Sequence, residues 1–519
     1  MTTETQTAPP DASISLPNVE RHSRVDRNFL TYLSCQLLSW VVTFFTVSII
    51  PRTLGEANTG KIVLATTATV TPFYVLGFGI DTWLVKEIGR DRSQAPALVS
   101  GILGLRLALI GPALLGTVLI GVMLHARPFD WLLVALALPM GVASFFSWSM
   151  RAAFNGMEQA KRAGSADLFV AWAPLAAVPF LRFGAVTPVI VMSCASVLVL
   201  ILQWSWMRKT LPFHFRFDLP LWKDLIRGGL PFCVNNYILV LYGLVSVFVV
   251  RLSLGDAGLG TVGQVNKLFG TFMFLPTAMV SALLPALSRM AEQDPDGFDR
   301  AKPRVLTLLL VAALPITAAA IVLAHPLSLL LYSKAKFHDV PLALQTIAFG
   351  ILPLYIVSTM YQFLAAQGRA HVWSRFLLLT VAIYGAVVWV SVPACMHLFH
   401  NGPMGASIAT VVSESVGAIA AIWLLQINVL TTEMAGRAFR AAAATGGMIL
   451  TMLAAIELLA RLGLPARSTT YAIQVIVPGS LGMAVFAALT AVLRVLYPQD
   501  QQRIGELISR AGARFRRAA

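Results

Sequence analysis

The chain has 519 residues, of which 57% are hydrophobic and only 12% are Asp, Glu, Lys or Arg. This charged share is about half of that in a typical soluble domain, and a water-soluble fold cannot bury so much apolar side chain. Composition therefore excludes a soluble enzyme, a secreted disulfide scaffold and a disordered chain. It indicates a polytopic membrane protein made mostly of transmembrane helices.

Apolar stretches of about 17–25 residues, the length that crosses roughly 30 Å of hydrocarbon, predict fourteen spans. We number them span 1 to span 14 in chain order. They cover residues 29–50, 62–84, 97–123, 131–150, 167–182, 186–206, 229–250, 262–287, 304–324, 340–365, 374–396, 403–425, 440–459 and 470–494.

Most Lys and Arg residues lie at one end of these spans. The loops and span ends on the side that holds both termini carry 28 of the 39 Lys and Arg, whereas the other side carries 9. We call these the basic side and the opposite side. The positive-inside rule predicts that the basic side, with both termini, is cytoplasmic. Topology thus accounts for the net charge of +15, and no nucleic-acid partner is predicted.

The predicted spans fall into two lobes. Residues 1–28 are expected to form an uncleaved cytoplasmic tail, because the apolar run after them is too long for a signal peptide and lacks a cleavage site. Spans 1–6 form an N-lobe over residues 29–206, and a cytoplasmic linker over 207–228 leads to a C-lobe, spans 7–12, over 229–425. Spans 13 and 14 occupy residues 440–494, and a basic cytoplasmic tail covers 495–519.

An internal repeat relates the lobes. Leu54–Gly60 reads LGEANTG, and Leu254–Gly260, 200 residues later, reads LGDAGLG. Pro72 in span 2 likewise matches Pro276 in span 8. Because the copies are six spans apart, both halves have the same orientation in the bilayer. This predicts two parallel repeats about an axis along the membrane normal, an arrangement that suits alternating access.

Several segments resemble a known group. Pro51–Gly60, PRTLGEANTG, resembles the P-R-x-L-G-x-x-x-x-G signature after the first helix of polysaccharide flippases. Lys86–Arg90 (KEIGR), Leu284–Ser288 (LPALS) and Leu364–Gly368 (LAAQG) resemble later segments of that group. Over roughly residues 29–430 the chain resembles the Wzx-like oligosaccharide flippases of the multidrug/oligosaccharidyl-lipid/polysaccharide (MOP) exporter superfamily.

The resemblance implies an all-α integral membrane protein of about 14 transmembrane helices, with two six-helix lobes around a central cavity and two added C-terminal helices. It implies a flippase rather than an enzyme, moving undecaprenyl-pyrophosphate-linked oligosaccharide from the cytoplasmic to the outer leaflet of the bacterial inner membrane, for exopolysaccharide or O-antigen synthesis. The implied partners are this lipid-linked glycan, membrane lipid and other polysaccharide assembly proteins, without a cofactor. Residues 440–494 would hold the polyprenyl chain.

Ionisable side chains inside the spans are costly in hydrocarbon and are therefore candidate site residues. Lys267, in span 8, is expected either to snorkel or to bind the substrate pyrophosphate in the cavity. Arg106, in span 3, is a second candidate for the cavity, or pairs with an acid. Glu414, in span 12, is a candidate coupling site for a proton or cation, or a structural carboxyl. Asp81, in span 2, is expected to pair with Lys86 or to form a gate contact that couples to an ion.

Five further residues are candidate substrate ligands. Arg52 and Arg251 close spans 1 and 7 on the opposite side, where they cap helix ends or form an outer anion gate. Asn235 and Asn236 in span 7 and Gln36 in span 1 lie on spans that the resemblance places around the cavity. They are expected to bind sugar hydroxyls or to join helices.

No catalytic or metal motif is present in the sequence. It lacks the P-loop, H-E-x-x-H and G-x-S-x-G patterns. His397 and His400 form an H-x-x-H that fits an interfacial position better than a metal site. The cysteines lie in apolar runs without a CxxC pair, which predicts small buried side chains rather than a redox site. They are Cys35, Cys194, Cys233 and Cys395.

Three alternative functions stay open. A multidrug or organic-cation antiporter of the same superfamily is disfavoured because span 1 has no acidic residue. A lipid II flippase would be expected to carry more arginines in spans 1 and 2, and residues 29–50 contain none. A membrane polysaccharide polymerase or ligase is disfavoured by the internal repeat and by the short loops on the opposite side.

Overall fold

The computed structural model describes residues 48–272, 290–332, 337–367, 369–424, 432–462 and 468–495, together with Leu38, Val42, Thr46 and Leu287. These residues form helices and no strand, as the composition predicts. Among them, nine helices are long and apolar enough to cross a membrane, and up to twelve spans result when each of three bent pairs counts as one. Most of span 1 and the second half of span 8 lie outside the described residues.

Seven α-helices of the N-lobe are described after the end of span 1. They are α1 (Glu56–Val75), α2 (Ile80–Arg90), α3 (Ala95–Ala108), α4 (Ile110–Met123), α5 (Pro128–Gly156), α6 (Ala160–Trp172) and α7 (Val186–Arg208). Predicted span 2 is the pair α1 and α2, bent by 47°, and span 3 is the pair α3 and α4, bent by 46°. Span 5 is α6 continued by a 3-10 segment, Ala173–Phe183, in which Pro179 cannot donate a helical hydrogen bond.

The break between α1 and α2 comes from the sequence Gly77-Phe78-Gly79. Phe78 and Gly79 have positive φ angles of 49° and 66°. A Cβ on Gly79 would lie 2.7 Å from the backbone nitrogen of Cys233 and 2.7 Å from the carbonyl oxygen of Gly229. Only glycine fits both the turn and this close approach of the C-lobe's first helix.

The C-lobe begins with a long helix. The described helices are α8 (Leu219–Thr271), α9 (Pro295–Val322), α10 (Ala324–Leu331), α11 (Val340–Ala348), α12 (Ile351–Ala366), α13 (Ala370–Phe399) and α14 (Gly402–Leu424). In α8 the backbone turns at Gly255, with φ 68°, so α8 contains span 7 and the start of span 8. Helix α8 begins ten residues before the predicted span, because the Asp218 carboxylate accepts a hydrogen bond from the Leu221 amide at 3.2 Å.

Two further helices follow the C-lobe. They are α15 (Thr432–Arg461) and α16 (Ser468–Val492). Their shared core, which includes Met448, Met452 and Phe486, also contains Leu323 at the junction of α9 and α10. In the described part of the chain, spans 13 and 14 therefore pack on the C-lobe.

The buried cores show how the lobes meet. On the opposite side one cluster contains residues of both lobes, such as Ile62, Val134, Val250 and Leu259. On the basic side a cluster centred on the N-lobe and a C-lobe cluster are separate. Apolar packing thus joins the lobes at the opposite side through several helices, whereas at the basic side the described contact between them is made by the first part of α8, which packs on the N-lobe.

Candidate substrate cavity between the lobes

The two repeat motifs contact each other on the opposite side. Gly55 and Gly255 have positive φ angles of 80° and 68°, so each motif turns into its helix in the same way. A Cβ on Gly60 would lie 3.0 Å from the Gly260 nitrogen, and a Cβ on Gly260 would lie 2.9 Å from the Gly60 nitrogen. Each Cβ would also overlap a carbonyl oxygen of the facing helix. This reciprocal contact is the geometry of a two-fold axis, which confirms the predicted parallel repeat.

Arg251 lies in a buried ion-pair cluster beside this contact. Its Nη2 donates to Asp130 Oδ2 at 3.1 Å, and its Nη1 lies against Asp256 Oδ1. The Arg251 and Asp130 side chains are 5% and 1% exposed. Asp130 belongs to the N-lobe and Arg251 to the C-lobe, so the pair bridges the lobes.

Arg52, at the end of span 1, also contacts the C-lobe on the opposite side. Its Nη1 donates to the Leu330 carbonyl oxygen at 3.2 Å, and its Nη2 donates to the Ser468 hydroxyl at 2.9 Å. Arg52 and Arg251, which close spans 1 and 7, therefore each join the N-lobe to the C-lobe on the opposite side.

Lys267 lies on α8 seven residues after Gly260, on the basic side of this closed end. A Cβ on Gly263 would be 3.0 Å from the Val63 side chain, whereas a Cβ on Gly270 would meet no described atom within 4 Å. The facing helices thus separate over these two turns. Lys267 is exposed on this stretch, about 10 Å from the level of Gly260 at ~1.5 Å per residue. None of the described residues forms an ion pair or hydrogen bond with its ammonium group.

Glu414 lies in a cavity inside the C-lobe. The cavity has a volume of about 370 Å³ and is lined by α8, α12, α13 and α14, including Asn236, Tyr361 and Trp373. The structure shows no ion pair or hydrogen bond between Glu414 and another described residue. Asn236 therefore lines a cavity of ligand size. The next residue, Tyr237, contacts the N-lobe instead: its hydroxyl donates to the Val75 carbonyl oxygen at 2.7 Å.

Arg106 and Asp81 form a buried pair within the N-lobe. Arg106 Nη2 donates to both carboxylate oxygens of Asp81, at 2.7 and 2.8 Å, and Ser149 Oγ donates to Asp81 at 2.8 Å. The Arg106 side chain is 2% exposed and its guanidinium lies 4.2 Å from the centre of the Phe145 ring. The predicted pairing of Asp81 with Lys86 is wrong, because the bends of spans 2 and 3 bring Asp81 to Arg106. In this conformation Arg106 is bound to an acid rather than free for substrate.

Two predicted site residues cannot be placed. Gln36 lies outside the described residues, as does the side chain of Asn235.

Sequence reasoning missed a second cavity, in the N-lobe. It has a volume of about 140 Å³ and is lined by Ser144, Ser147, Arg151, Asp167 and Gln203. Arg151 donates to Asp167 at 2.7 Å, and Ser147 donates to Gln203 at 2.5 Å. The sequence signal was an Arg near the basic end of span 4 facing an Asp at the start of span 5. Asp130, the partner of Arg251, was also missed, and its position before span 4 gave no sign of that contact.

Comparison with known proteins identifies the family. A family model described as polysaccharide biosynthesis protein matches residues 25–291, more than half of the chain. The chain belongs to the polysaccharide biosynthesis protein family. The MatE family model matches residues 231–390 of this family member. No curated protein sequence matches it.

Solved structures show the fold of this polysaccharide biosynthesis family member. The lipid II flippase MurJ in its inward closed conformation superposes with a TM-score of 0.69 at 13% identity, covering 89% of this chain and 98% of MurJ. An inward-facing multidrug resistance MATE transporter gives 0.61 at 15% identity, covering 77% and 98%. A MOP superfamily transporter from Pyrococcus furiosus with a binding pocket of reverse polarity gives 0.52 at 17%, covering 78% and 95%. The predicted MOP superfamily fold is therefore confirmed.

Proposed function

We propose that this protein is a flippase for a polyprenyl-pyrophosphate-linked oligosaccharide. It moves this substrate from the cytoplasmic to the outer leaflet of the bacterial inner membrane by alternating access, with the basic side cytoplasmic, for cell-surface polysaccharide synthesis. Membership of the polysaccharide biosynthesis family and a fold shared with a lipid-linked substrate flippase support this proposal.

The observation that carries the proposal is the ammonium group of Lys267, which has no ion-pair or hydrogen-bond partner among the described residues. It is exposed where the helices of the two lobes separate, just below the end closed by Arg251 and Asp130. A pyrophosphate is a dense anion, and a cation without a competing carboxylate binds it strongly where water is scarce. The substrate headgroup would thus stop at the closed end, ready for release when that end opens.

Substitution of Lys267 tests this role. Charge-assisted hydrogen bonds contribute roughly 1.5–3 kcal/mol, so Lys267→Ala should reduce export about 10–150-fold, and Lys267→Arg should retain most of it. In a deletion strain, the variant should restore little surface polymer, while mass spectrometry shows complete lipid-linked oligosaccharide accumulating in the cytoplasmic leaflet. Lys161→Ala, at an exposed lysine on the basic side, is the matched control. Normal export by Lys267→Ala at equal protein level would refute the role of the ammonium group.

An organic-cation antiporter is the second candidate, because Glu414 lies in a cavity with aromatic walls and has no partner among the residues that the structure describes. A carboxylate beside aromatic rings is a site that binds organic cations. In that case the deletion would leave lipid-linked sugars unchanged and raise sensitivity to cationic drugs. If lipid II accumulated instead of a polymer precursor, the protein would be a lipid II flippase.

Ion coupling is assigned first to Glu414 and second to Asp81. Arg106 already neutralises Asp81, whereas Glu414 has no such partner among the described residues. If Glu414 couples transport to an ion, Glu414→Gln in proteoliposomes should remove the dependence of the flipping rate on the proton or sodium gradient.

The polyprenyl chain is assigned to α15 and α16. Apolar side chains on these helices are exposed beside the C-lobe, among them Leu450, Leu458 and Ile476 at 70%, 64% and 66%. Such a surface matches a hydrocarbon chain that stays in the bilayer while its headgroup enters the cavity.

A further inference from the structure

The N-lobe and C-lobe cavities are equivalent under the internal repeat. Four lining residues of α5 and four of α12 correspond one to one at an offset of 210 residues. They are Ser144, Ser147, Trp148 and Arg151 in the N-lobe, and Leu354, Val357, Ser358 and Tyr361 in the C-lobe.

Residues on the other walls of the two cavities also correspond at nearly the same offset. Ala166, Asp167 and Val170 of α6 correspond to Phe376, Leu377 and Thr380 of α13, again at an offset of 210. Val199 and Gln203 of α7 correspond to Ser413 and Gly417 of α14, at an offset of 214. Both cavities are therefore copies of one ancestral feature, and their differences show what each lobe now does with it.

The N-lobe copy is filled by its own side chains. Arg151 and Asp167 neutralise each other, Ser147 bonds to Gln203, and about 140 Å³ remains. The N-lobe cavity needs no ligand to neutralise its charged groups, because these groups already have partners.

The C-lobe copy is larger, and its Glu414 carboxylate has no hydrogen-bond partner in the described part of the chain. Its volume is about 370 Å³, within the roughly 300–1,000 Å³ of ligand sites. The rings of Tyr361 and Trp373 are 5.6 Å apart and those of Trp373 and Phe376 are 4.9 Å apart, which makes a continuous aromatic wall. Glu414 and the Asn236 amide contribute hydrogen-bonding groups to the same cavity.

The cavity lies toward the basic side from Lys267. A Cβ on Gly350 would be 3.5 Å from the Phe269 ring, so Lys267 is near the level of the start of α12. The lining residues Leu354 to Tyr361 of α12 are further along the helix, roughly 5–15 Å from that level at ~1.5 Å per residue. Sugar rings attached to a pyrophosphate at Lys267 would extend over such a distance.

We propose that the C-lobe cavity is a sugar-binding subsite that holds one ring of the lipid-linked glycan. The inference rests on the proposed flippase function and adds the residues that recognise the carbohydrate. Aromatic faces cover the apolar faces of a pyranose ring, the Glu414 carboxylate accepts hydrogen bonds from its hydroxyls, and Asn236 donates and accepts. A bare cation would need the carboxylate but not the aromatic wall.

Binding to the full-length protein in lipid nanodiscs tests the subsite, with two probes. One is undecaprenyl pyrophosphate, and the other is the polyprenyl-pyrophosphate-linked glycan purified from the host strain that lacks the protein. We expect the wild type to bind the glycan-linked probe at least tenfold more tightly. Trp373→Ala and the isosteric Glu414→Gln should each reduce this preference about tenfold, while the Kd for undecaprenyl pyrophosphate stays within twofold. Trp172→Ala, at a tryptophan that is 48% exposed on the N-lobe, should change neither value.

The two proposals fail in different ways. A wild-type protein that binds both probes equally, or two cavity variants that keep the full preference, would overturn the sugar subsite and leave the flippase function standing. If the deletion strain accumulates no lipid-linked glycan, or the wild type does not bind undecaprenyl pyrophosphate, the flippase function itself is overturned, and the subsite with it.

Discussion

Removing the charge of Arg251 should open the side of the protein that is now closed. In Arg251→Gln the carboxylates of Asp130 and Asp256, which are 1% and 10% exposed, lose their cation. Removing one partner of a buried ion pair costs roughly 3–5 kcal/mol, because the remaining charge is left uncompensated. If that charge regains water only when the lobes separate, the equilibrium shifts toward the open state by about 10²–10⁴-fold.

The variant Asp130→Asn provides a comparison for Arg251→Gln, because it removes an acid and keeps the arginine. It leaves Arg251 paired with Asp256, so its effect should be much smaller than that of Arg251→Gln. Neutralising both acids as well, in the triple variant Arg251→Gln/Asp130→Asn/Asp256→Asn, should restore most of the closed population because no buried charge is left unpaired.

Hydrogen exchange measured by mass spectrometry in nanodiscs reports this opening. The amides of residues 56–64 and 256–264 flank the Gly60 and Gly260 contact and should exchange faster in Arg251→Gln, whereas those of the C-lobe core around Met360 should not. The reasoning would be refuted if Asp130→Asn accelerated exchange as much as Arg251→Gln, or if Arg251→Gln changed it by less than threefold.

Two further predictions concern packing. Gly60→Ala and Gly260→Ala should each lower the thermal stability by a similar amount, roughly 1–3 kcal/mol from overpacking, because each Cβ meets the other helix in the same way; unequal effects in fluorescence-monitored unfolding would contradict the reciprocal contact. Arg106→Leu should cost roughly 3–5 kcal/mol by leaving Asp81 uncompensated, and the double variant Arg106→Leu/Asp81→Asn should recover much of the loss. If the double variant were less stable than Arg106→Leu, the pair would not be the reason.

The overall architecture was predictable because it depends on signals that are local in sequence. Hydropathy indicated the spans, and the matching motifs ending at Gly60 and Gly260 predicted both the duplication and its parallel sense. The bends in spans 2 and 3 were not predicted. Hydropathy measures the composition of a segment but not its direction, and the break at Gly77–Gly79 depends on how closely α8 approaches.

The partners of the charged residues were less predictable. The depth of Arg106 in the membrane predicts that it pairs with an acid. That this acid is Asp81 depends on how the bent spans 2 and 3 pack together. Arg251 and Asp130 are 121 residues apart in different lobes, and their contact depends on how the lobes dock. The C-lobe cavity around Glu414 also escaped prediction, since an empty space arises from the packing of four helices and leaves no pattern in any one of them.

The shared apolar cluster on the opposite side makes one state of the transport cycle lower in free energy than the other. The lobes share an apolar core at the opposite side, whereas at the basic side the C-lobe cluster is separate and the first part of α8 makes the described contact with the N-lobe, so the two half-cycles are energetically unequal. Each Val or Leu side chain that leaves the common cluster for water costs roughly 1.5–3 kcal/mol. Under the proposed alternating access, the empty protein would return spontaneously to the state that faces the cytoplasm. Opening of the loaded protein toward the outside is the step that costs free energy. Substrate binding or an ion gradient has to supply that free energy.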